Sequence, residues 1–354
     1  MLETPLVSVK MITYNHAPYI AQAIEGVLSQ KTDFPYELVI GEDCSTDGTR
    51  EIVLRYAEAH PDVIRVVTSD SNVGVRENGR RTTEACRGKY IAWCEGDDYW
   101  HRDDKLQLQV DYLENHPECK LVYSDFGFHD VSTGERVSAF NRARGLDPPQ
   151  NPTLSDLLFG RCGIITCTVC AHLKTIRCVM RSDPYVYDSR RFLMGDTPLW
   201  ADILAHGRIH YLPESLAMHI ILPESASNSQ SAVRQHRFIV SNSEMRVYFA
   251  HKYGLPADEV RLLETKLHES NLFLAFITCN ADLSRTAWRC LDRPTPRHWV
   301  LYRGTENRVL NRILRAVWRF KRRHKSNVTH VDRARSSKGK LSQVSNSPVK
   351  SMGH

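Results

Sequence analysis

The sequence has no apolar run that approaches the roughly 20 residues needed by a membrane-spanning helix. Two glycine-rich phosphate-binding patterns are also missing. No Gly-x-Gly-x-x-Gly follows the first predicted strand, and no Gly-x4-Gly-Lys followed by Ser or Thr occurs anywhere. These absences disfavour a chain that crosses a membrane by itself, a dinucleotide-binding enzyme and a phosphate-loop enzyme.

A disulfide framework is disfavoured, although the chain has ten cysteines. The cysteines lie in apolar stretches, and a chain of this size can form a core without cross-links. A secretory signal is not apparent, because Glu3 and Pro5 stand where basic residues would precede the apolar region and Lys10 interrupts that region. We therefore expect a reducing, cytosolic compartment.

The net charge of +6 is unevenly distributed along the 354 residues. Residues up to Tyr253 mix both signs, whereas Arg and Lys dominate from Arg303 to Lys350. A nucleic-acid-binding protein would show a basic stripe with interleaved aromatic residues or a known reading module, and the sequence has neither. We expect no nucleic-acid partner. The 42% apolar content is sufficient for a full α/β core and an additional lobe.

Strand-like and helix-like segments alternate in the first hundred residues. Alternation of this kind predicts a parallel sheet with helices on both faces. In such sheets, ligands bind beyond the carboxyl ends of the strands, where Asp43 and the pair Asp97 and Asp98 are expected to meet. The predicted strands are 7–13, 37–40, 63–68 and 90–94, and the predicted helices are 17–30, 50–59 and one that ends near Arg87 and Gly88.

The acidic cluster Glu95-Gly96-Asp97-Asp98 directly follows the apolar segment 90–94. Adjacent carboxylates are good ligands for a hard divalent cation that also holds substrate phosphates. Since the chain has no glycine cradle, a diphosphate here would be neutralised by a metal. Asp43 would then be free to accept hydrogen bonds from a base edge or a ribose.

Several motifs, in this order, resemble family 2 glycosyltransferases of the inverting GT-A fold. They are Val-Ser-Val-Lys-Met-Ile-Thr-Tyr-Asn at 7–15, Glu-Asp-Cys-Ser-Thr-Asp-Gly-Thr at 42–49, Asn-Val-Gly at 72–74, and Gly-Lys-Tyr-Ile-Ala at 88–92 running into Glu-Gly-Asp-Asp at 95–98. The resemblance covers about the first 125 residues and continues more loosely to about Ser227. It implies an α/β fold of GT-A type, with a mostly parallel sheet flanked by helices.

The resemblance also implies roles for individual residues. Thr13 and Asn15 belong to the first motif and are expected to bind the nucleotide sugar. Asp43 is expected to contact the uracil or another base, and Asp97 the ribose. Asp98 is expected to coordinate Mn²⁺ or Mg²⁺ between the two phosphates.

Two further residues leave alternatives open. Arg81 follows the Asn-Val-Gly motif and could reach the diphosphate, or it could be a solvated helix arginine. His219 stands where relatives often carry Tyr-Arg-x-His, and it could be a metal ligand or a hydrogen-bonded packing residue.

Asp196 is the candidate catalytic base, because Met194-Gly195-Asp196 is similar to the acidic motif that the family carries at the start of a helix. Inverting transfer needs a group that takes the proton of the acceptor hydroxyl. An ordinary helix N-cap is the alternative, since Asp before Thr197 and Pro198 suits that role. The chain lacks a Gln-x-x-Arg-Trp motif, which favours single addition over processive polymerisation.

The cysteines at 162, 167, 170 and 178, with His172 among them, could suggest a zinc site. Zinc sites usually pair their ligands more regularly, and here a single Cys-x2-Cys adjoins the β-branched run Ile164–Val169. Buried thiols in a strand are the preferred interpretation.

We predict a catalytic domain over 1–228, with a nucleotide-sugar half (1–125) and an acceptor half (126–228). A helical region over 229–325 and a disordered tail over 326–354 follow it. The predicted helix 307–325 is basic and amphipathic, so it could lie on a membrane surface or dock on the protein itself.

The expected function is metal-dependent, inverting transfer from a UDP-sugar to a hydroxyl of a glycan or a lipid-linked acceptor, in cell-surface polysaccharide synthesis. A sugar-phosphate nucleotidyltransferase and a catalytically silent membrane-surface scaffold are the alternatives. The expected location is cytoplasmic, with peripheral membrane contact left open.

Overall fold

The computed structural model describes residues 4–189, 191–223, 231–307 and 309–317. The chain separates into two compact units, one ending at Leu267 and the other beginning at His268. The predicted domain boundary at 228 stays a prediction, and the first compact unit continues beyond it. The tail 326–354, predicted to be disordered, lies outside the described residues, as does the end of the predicted helix from 318 to 325.

The first unit contains a nine-stranded sheet in the order β3-β2-β1-β4-β8-β6-β9-β5, with β7 paired to β6. The strands are β1 (Val7–Thr13), β2 (Tyr36–Glu42), β3 (Ile64–Val67), β4 (Tyr90–Trp93), β5 (Tyr99–Trp100), β6 (Cys119–Asp130), β7 (Arg136–Val137), β8 (Cys170–His172) and β9 (Arg208–Ile221). Strands β1 to β4 are mutually parallel, and β6 is parallel to β9. Strand β8 runs antiparallel to both β4 and β6 and joins the two halves of the sheet.

Helices of the first unit cover both faces of this sheet, and the chain continues as helices in the second unit. They are α1 (Ile20–Leu28), α2 (Thr49–Ala59), α3 (Val75–Ala85), α4 (Lys105–Asn115), α5 (Phe140–Ala143), α6 (Leu154–Phe159), α7 (Leu173–Ser182), α8 (Pro184–Tyr187), α9 (Thr197–His206), α10 (Ala232–Lys252), α11 (Ala257–Thr278), α12 (Ala281–Arg289) and α13 (Pro296–Glu306). The predicted strands and helices of the first hundred residues are all present, with ends that shift by a few residues.

Alternate residues of the central strands supply two apolar cores, one on each face. Val9, Leu38 and Ala92 are register partners on β1, β2 and β4, and all three are fully buried. Full burial of a side chain such as Leu38 contributes roughly 1.5–3 kcal/mol. The opposite face packs residues such as Ile91 against α7, α9 and α10. The central strands are therefore largely apolar, although Ser8 and Lys10 lie on β1 and Glu37 lies on β2.

The strand order places a crevice beyond the carboxyl ends of β1, β2 and β4. Strand β1 lies between β2 and β4, so β2 and β3 follow on one side of β1, and β4 lies on the other side. Such a switch point opens a ligand-sized gap. Asn15, after β1, and Cys44, after β2, have φ values of +55° and +61°. Backbone in this left-handed region is uncommon for residues other than glycine, and it turns both loops sharply at the crevice.

The predicted strand at Ile164–Val169 is wrong in position. Thr166–Thr168 forms a single 3₁₀ turn, and the strand β8 begins only at Cys170. Two backbone carbonyl groups of this segment accept hydrogen bonds from side chains instead of from a neighbouring strand. Trp100 Nε1 donates to the Cys167 carbonyl (3.0 Å), and Gln109 Nε2 donates to the Thr168 carbonyl (2.7 Å). Tertiary hydrogen bonds thus override the β-branched propensity of this segment.

The second unit is helical in its described part, and residues 309–317 are helical as well. Asn311 is buried and donates from Nδ2 to the Phe276 carbonyl at 3.0 Å. Leu310, Ile313 and Val317 are exposed. None of the helices described here combines the length and apolarity that membrane crossing demands.

Candidate functional site

Thr13 and Asn15 connect the loop after β1 to the loop after β2. The backbone N–H of Asn15 donates to Ser45 Oγ at 3.0 Å, and Asn15 Oδ1 accepts the N–H of Thr46 at 2.9 Å. Thr13 is buried, and its hydroxyl lies 3.3 Å from Nδ1 of His16. Both predicted residues therefore line the crevice, where they fix the loops that form its rim.

Asp43 follows β2 and is almost fully buried. One carboxylate oxygen accepts the N–H of Val73 and the other accepts the N–H of Gly74, both at 2.9 Å. The carboxylate therefore anchors the Asn-Val-Gly loop that leads into α3. An ionised carboxylate has about four acceptor positions, so it can still receive hydrogen bonds from a base or a ribose.

Arg81, on α3, is not a solvated helix arginine, since only 16% of its side chain is exposed. Its guanidinium donates to the carbonyl groups of Thr68 and Glu42, both at 2.9 Å. It also lies 3.6 Å from Asp43. Arg81 thus caps the ends of two strands and supplies positive charge beside Asp43.

Asp98 is held on the inner wall of the crevice and is 5% exposed. It accepts the N–H of Ile220 at 2.8 Å and lies 3.0 Å from Nδ1 of His219. Burial lowers the pKa of His219, but the negative charge and hydrogen bond of Asp98 outweigh it and raise this pKa to about 9. The two candidate metal ligands named from the sequence are therefore direct neighbours and form an ion pair.

Asp97 and Glu95 make the same corner strongly acidic. Burial raises the pKa of Asp97, and repulsion from Asp98 raises it further. Burial, together with the charges of Asp98 and Asp97, raises the pKa of Glu95 to about 8. Oε2 of Glu95 is buried and has no hydrogen-bond partner among the described residues. No separate role was predicted for Glu95 from the sequence, although it belongs to the acidic cluster at 95–98.

The side chains at this corner suit a cation that takes most of its ligands from substrate phosphates and water. Asp98 offers carboxylate oxygens, and His219 beside it could offer a nitrogen only after losing the proton that its ion pair with Asp98 retains. Among the residues that the structure describes, no group of three His, Cys, Asp or Glu side chains is arranged to hold a metal. Mg²⁺ and related ions are commonly bound by one or two carboxylates together with substrate phosphates and water, which matches this arrangement.

Asp196 is the N-cap residue of α9, which was the alternative to a role as catalytic base. One carboxylate oxygen accepts the N–H of Thr197 at 2.6 Å. The other accepts the hydroxyl of Thr166 at 2.8 Å. The side chain is only half-buried, and the first oxygen alone makes the contact with α9. An N-cap role and a role as proton acceptor are compatible in this geometry.

The 3₁₀ turn at Thr166–Thr168 links Asp196 to the acidic corner. Thr166 contacts Asp196, and the next residue, Cys167, lies close to Asp98. Burial raises the pKa of the Cys167 thiol well above its ordinary value, and the nearby charges of Asp98 and Glu95 contribute. Consecutive Cα atoms are about 3.8 Å apart, so this turn contacts Asp196 through one residue and approaches Asp98 through the next. Nothing in the local sequence around Thr166 indicated this contact.

Residues 8–173 match the model of the glycosyl transferase family 2. Three mycobacterial relatives are 42% identical over 116 residues, which is 33% of this chain and 34% of theirs. The match thus spans about a third of the length of these relatives.

A longer match is to "Putative teichuronic acid biosynthesis glycosyltransferase TuaG" of Bacillus subtilis, 27% identical over 246 residues, or 69% of this chain and 90% of TuaG. The crystal structure of residues 1–349 of S. aureus TarS with UDP-GlcNAc has a TM-score of 0.54 and 17% identity, covering 84% of this chain and 79% of that TarS fragment. The mannosyltransferase PcManGT of Pyrobaculum calidifontis, in complex with GDP-Man and Mn²⁺, has a TM-score of 0.50 and 19% identity, covering 86% and 80%. The structural likeness confirms the GT-A fold.

Proposed function

We propose that this protein is an inverting, metal-dependent glycosyltransferase. It moves a sugar from a nucleoside diphosphate sugar, most simply a UDP-sugar, to a hydroxyl group of a glycan or a lipid-linked acceptor. The observation that supports the proposal is that Asp43 follows β2 and Asp97 and Asp98 follow β4 at the same edge of the sheet, while Thr166, next to Cys167 near Asp98, donates to Asp196. The family match of residues 8–173 supports it as well.

The donor half of the crevice binds the nucleotide in this proposal. Asp43 and Asp97 accept hydrogen bonds from the base and the ribose, and the loops fixed by Asn15 shape their pocket. Asp98, with His219 as a second candidate, would hold Mn²⁺ or Mg²⁺, which would offset the charge of the leaving diphosphate. TarS is in complex with UDP-GlcNAc and PcManGT with GDP-Man and Mn²⁺ in the structures compared above, which supports a nucleotide-sugar donor.

The acceptor half supplies the base. Asp196 takes the proton of the acceptor hydroxyl, and the oxygen attacks the anomeric carbon from the face opposite the diphosphate. The bond to the diphosphate oxygen breaks, and its electron pair leaves with the diphosphate. An α-linked donor therefore gives a β-linked product, and the proton stays on Asp196. Holding both substrates in line contributes much of the rate enhancement.

The proposed class of acceptor is inferred from the relative TuaG and from the segment 307–325. The name of TuaG places that protein in teichuronic acid biosynthesis, which supports a cell-surface polysaccharide as product. We propose a cytoplasmic enzyme that contacts the membrane through the segment 307–325, which the sequence predicts to be helical. The exposed Leu310, Ile313 and Val317 support this contact. Sedimentation of the full chain with anionic vesicles, compared with Ile313→Asp, tests it, and equal binding by both would contradict it.

Incubation with a panel of UDP-sugars, GDP-mannose and Mn²⁺ tests the activity. Release of nucleoside diphosphate that depends on acceptor and stops with EDTA is the expected result, and the anomeric coupling constant of the product reports inversion. Diphosphate formed from UTP and a sugar phosphate would instead support a nucleotidyltransferase. No turnover under either condition, with the nucleotide still bound, would support a silent scaffold.

A further inference from the structure

A basic cleft lies at the amino ends of the parallel strands, away from the crevice. Its volume is about 520 Å³, and its lining residues are Gly88, Lys89, His172, Leu173, Lys174, Arg177, Cys178 and Arg181. The segment 88–89 precedes β4, whereas Asp97 and Asp98 follow it. Four strand residues span roughly 13 Å, so the cleft and the crevice lie at opposite edges of the sheet.

The positive charge of the cleft comes from one face of α7. Lys174, Arg177, Cys178 and Arg181 are spaced by three, four and seven residues, which places them on the same side of a helix. Lys174 and Arg181 are exposed. Arg177 is fixed, because its guanidinium donates to the carbonyl groups of Thr83, Glu84 and Cys86 at 2.7–3.1 Å. The guanidinium of Arg177 is therefore held in place between Lys174 and Arg181, which have no side-chain partner in the described part of the chain.

Acidic groups do not neutralise this face. Of the described residues that line the cleft, none is Asp or Glu, and the first turn of α7 has no acidic residue. Glu114 lies at the edge and pairs with Lys89 at 2.8 Å. Lys174 and Arg181 have no side-chain partner among the described residues. The cationic groups of α7 are thus left for a ligand.

His172 is the N-cap residue of α7, and its side chain makes no capping hydrogen bond. The N–H of Leu173, the first residue of α7, donates to the carbonyl group of Lys89 at 3.0 Å. The positive end of the helix dipole lies at this end of α7. Burial lowers the pKa of His172, and the charges of Lys120 and Lys89 lower it further, while Glu114 opposes them. Lys120 and Lys89 thus add positive charge near the imidazole.

We propose that this cleft is a second binding site, separate from the catalytic crevice, for an anion that bears phosphate groups. Guanidinium and ammonium groups beside a helix N-terminus suit the several acceptor oxygens of a phosphate. Two sources carry this chemistry, a free phosphate or diphosphate and the headgroup of an anionic lipid. The site is independent of the proposed transfer reaction.

Calorimetric titration of the full chain tests the site with inorganic pyrophosphate and with monomeric dihexanoyl phosphatidylglycerol. EDTA is present so that no metal recruits these ligands to the crevice, and dihexanoyl phosphatidylcholine is the neutral lipid control. The test variant is Lys174→Glu with Arg181→Glu. The matched control is Arg55→Glu with Arg261→Glu, which changes the charge equally at exposed helix positions. A neutral variant, Lys174→Gln with Arg181→Gln, serves if charge reversal prevents folding.

The expected result is micromolar to millimolar binding of at least one anion, weakened about tenfold or more in the test variant and little changed in the control. Binding of pyrophosphate alone identifies a soluble phosphate, and binding of phosphatidylglycerol alone identifies a lipid headgroup. An upward shift of the His172 pKa on saturation, measured by NMR, is expected in either case. The absence of binding by wild type, or equal loss in test and control variants, would overturn the proposal.

Discussion

The donor half and the acceptor half of the crevice hold their carboxylates in different ways. Asp43 and Asp98 each accept backbone N–H groups, from Val73 and Gly74 in one case and from Ile220 in the other. Asp196 accepts one N–H from its own helix and a side-chain hydroxyl from Thr166. Backbone donors fix the orientation of a carboxylate firmly, whereas the half-buried Asp196 keeps access to a proton.

This difference indicates that the two halves have different roles, nucleotide binding in one and proton transfer in the other. The donor half is organised before the substrate arrives, since loops and carboxylates hold each other in place. The acceptor half depends on a contact between the 3₁₀ turn and the start of α9. Substitutions in the two halves should therefore separate nucleotide binding from chemistry.

Asp98→Asn tests the donor half and should have the largest effect. Removing the charge that would hold the metal should reduce turnover by about 10³-fold, because electrostatic stabilisation of the leaving group is lost. The Mn²⁺-dependent thermal stabilisation by UDP should disappear as well. Asp103→Asn, at an exposed ion pair with Lys31, is the matched control and should stay within about twofold. Full metal-dependent stabilisation in Asp98→Asn would contradict the assignment.

Asp196→Asn tests the acceptor half. Loss of the base should lower turnover by about 10²-fold or more, while thermal stabilisation by UDP and Mn²⁺ remains as in wild type. Asp196→Ser provides the control for the structural alternative, since Ser is also a good N-cap residue. If Asp196 acts only as a cap, both variants should retain activity, and that result would remove the base from the proposal.

Asp43→Asn tests how far the donor half depends on backbone donors. An amide can accept at only one of its two terminal atoms, so the N–H of either Val73 or Gly74 loses its partner. We expect a loss of about 1–3 kcal/mol in the free energy of unfolding, measured with urea. Asp70→Asn, at an exposed position, is the control. Unchanged stability would show that the loop at 72–74 does not need this carboxylate.

Thr166→Val should have the smallest effect of the four. Asp196 loses one hydrogen bond and keeps its helix contact, so we expect a decrease in turnover of about tenfold or less, with unchanged nucleotide binding. Thr166→Ser restores the hydroxyl and should recover most of the activity. A decrease in nucleotide binding, without a change in turnover of the bound complex, would place Thr166 in the donor half instead.

Much of the donor half could be predicted from the sequence. The alternation of elements, the acidic cluster after β4 and Asp43 after β2 are local features, and parallel strands bring their ends to one edge. The partners of these residues could not be predicted. Arg81 contacts strand-end carbonyl groups, and Asp43 anchors the loop at 72–74, because these contacts join segments 13 to 39 residues apart.

The sequence by itself determined the α/β pattern, the family resemblance and the candidate carboxylates, since these depend on periodicity and on the order of motifs along the chain. Only the tertiary structure decided that Ile164–Val169 contains a turn, that Thr166 contacts Asp196, and that α7 turns its basic face toward a cleft. The physical reason is that side chains distant in sequence satisfy these backbone and polar groups, so their pairing depends on the packing of the whole unit.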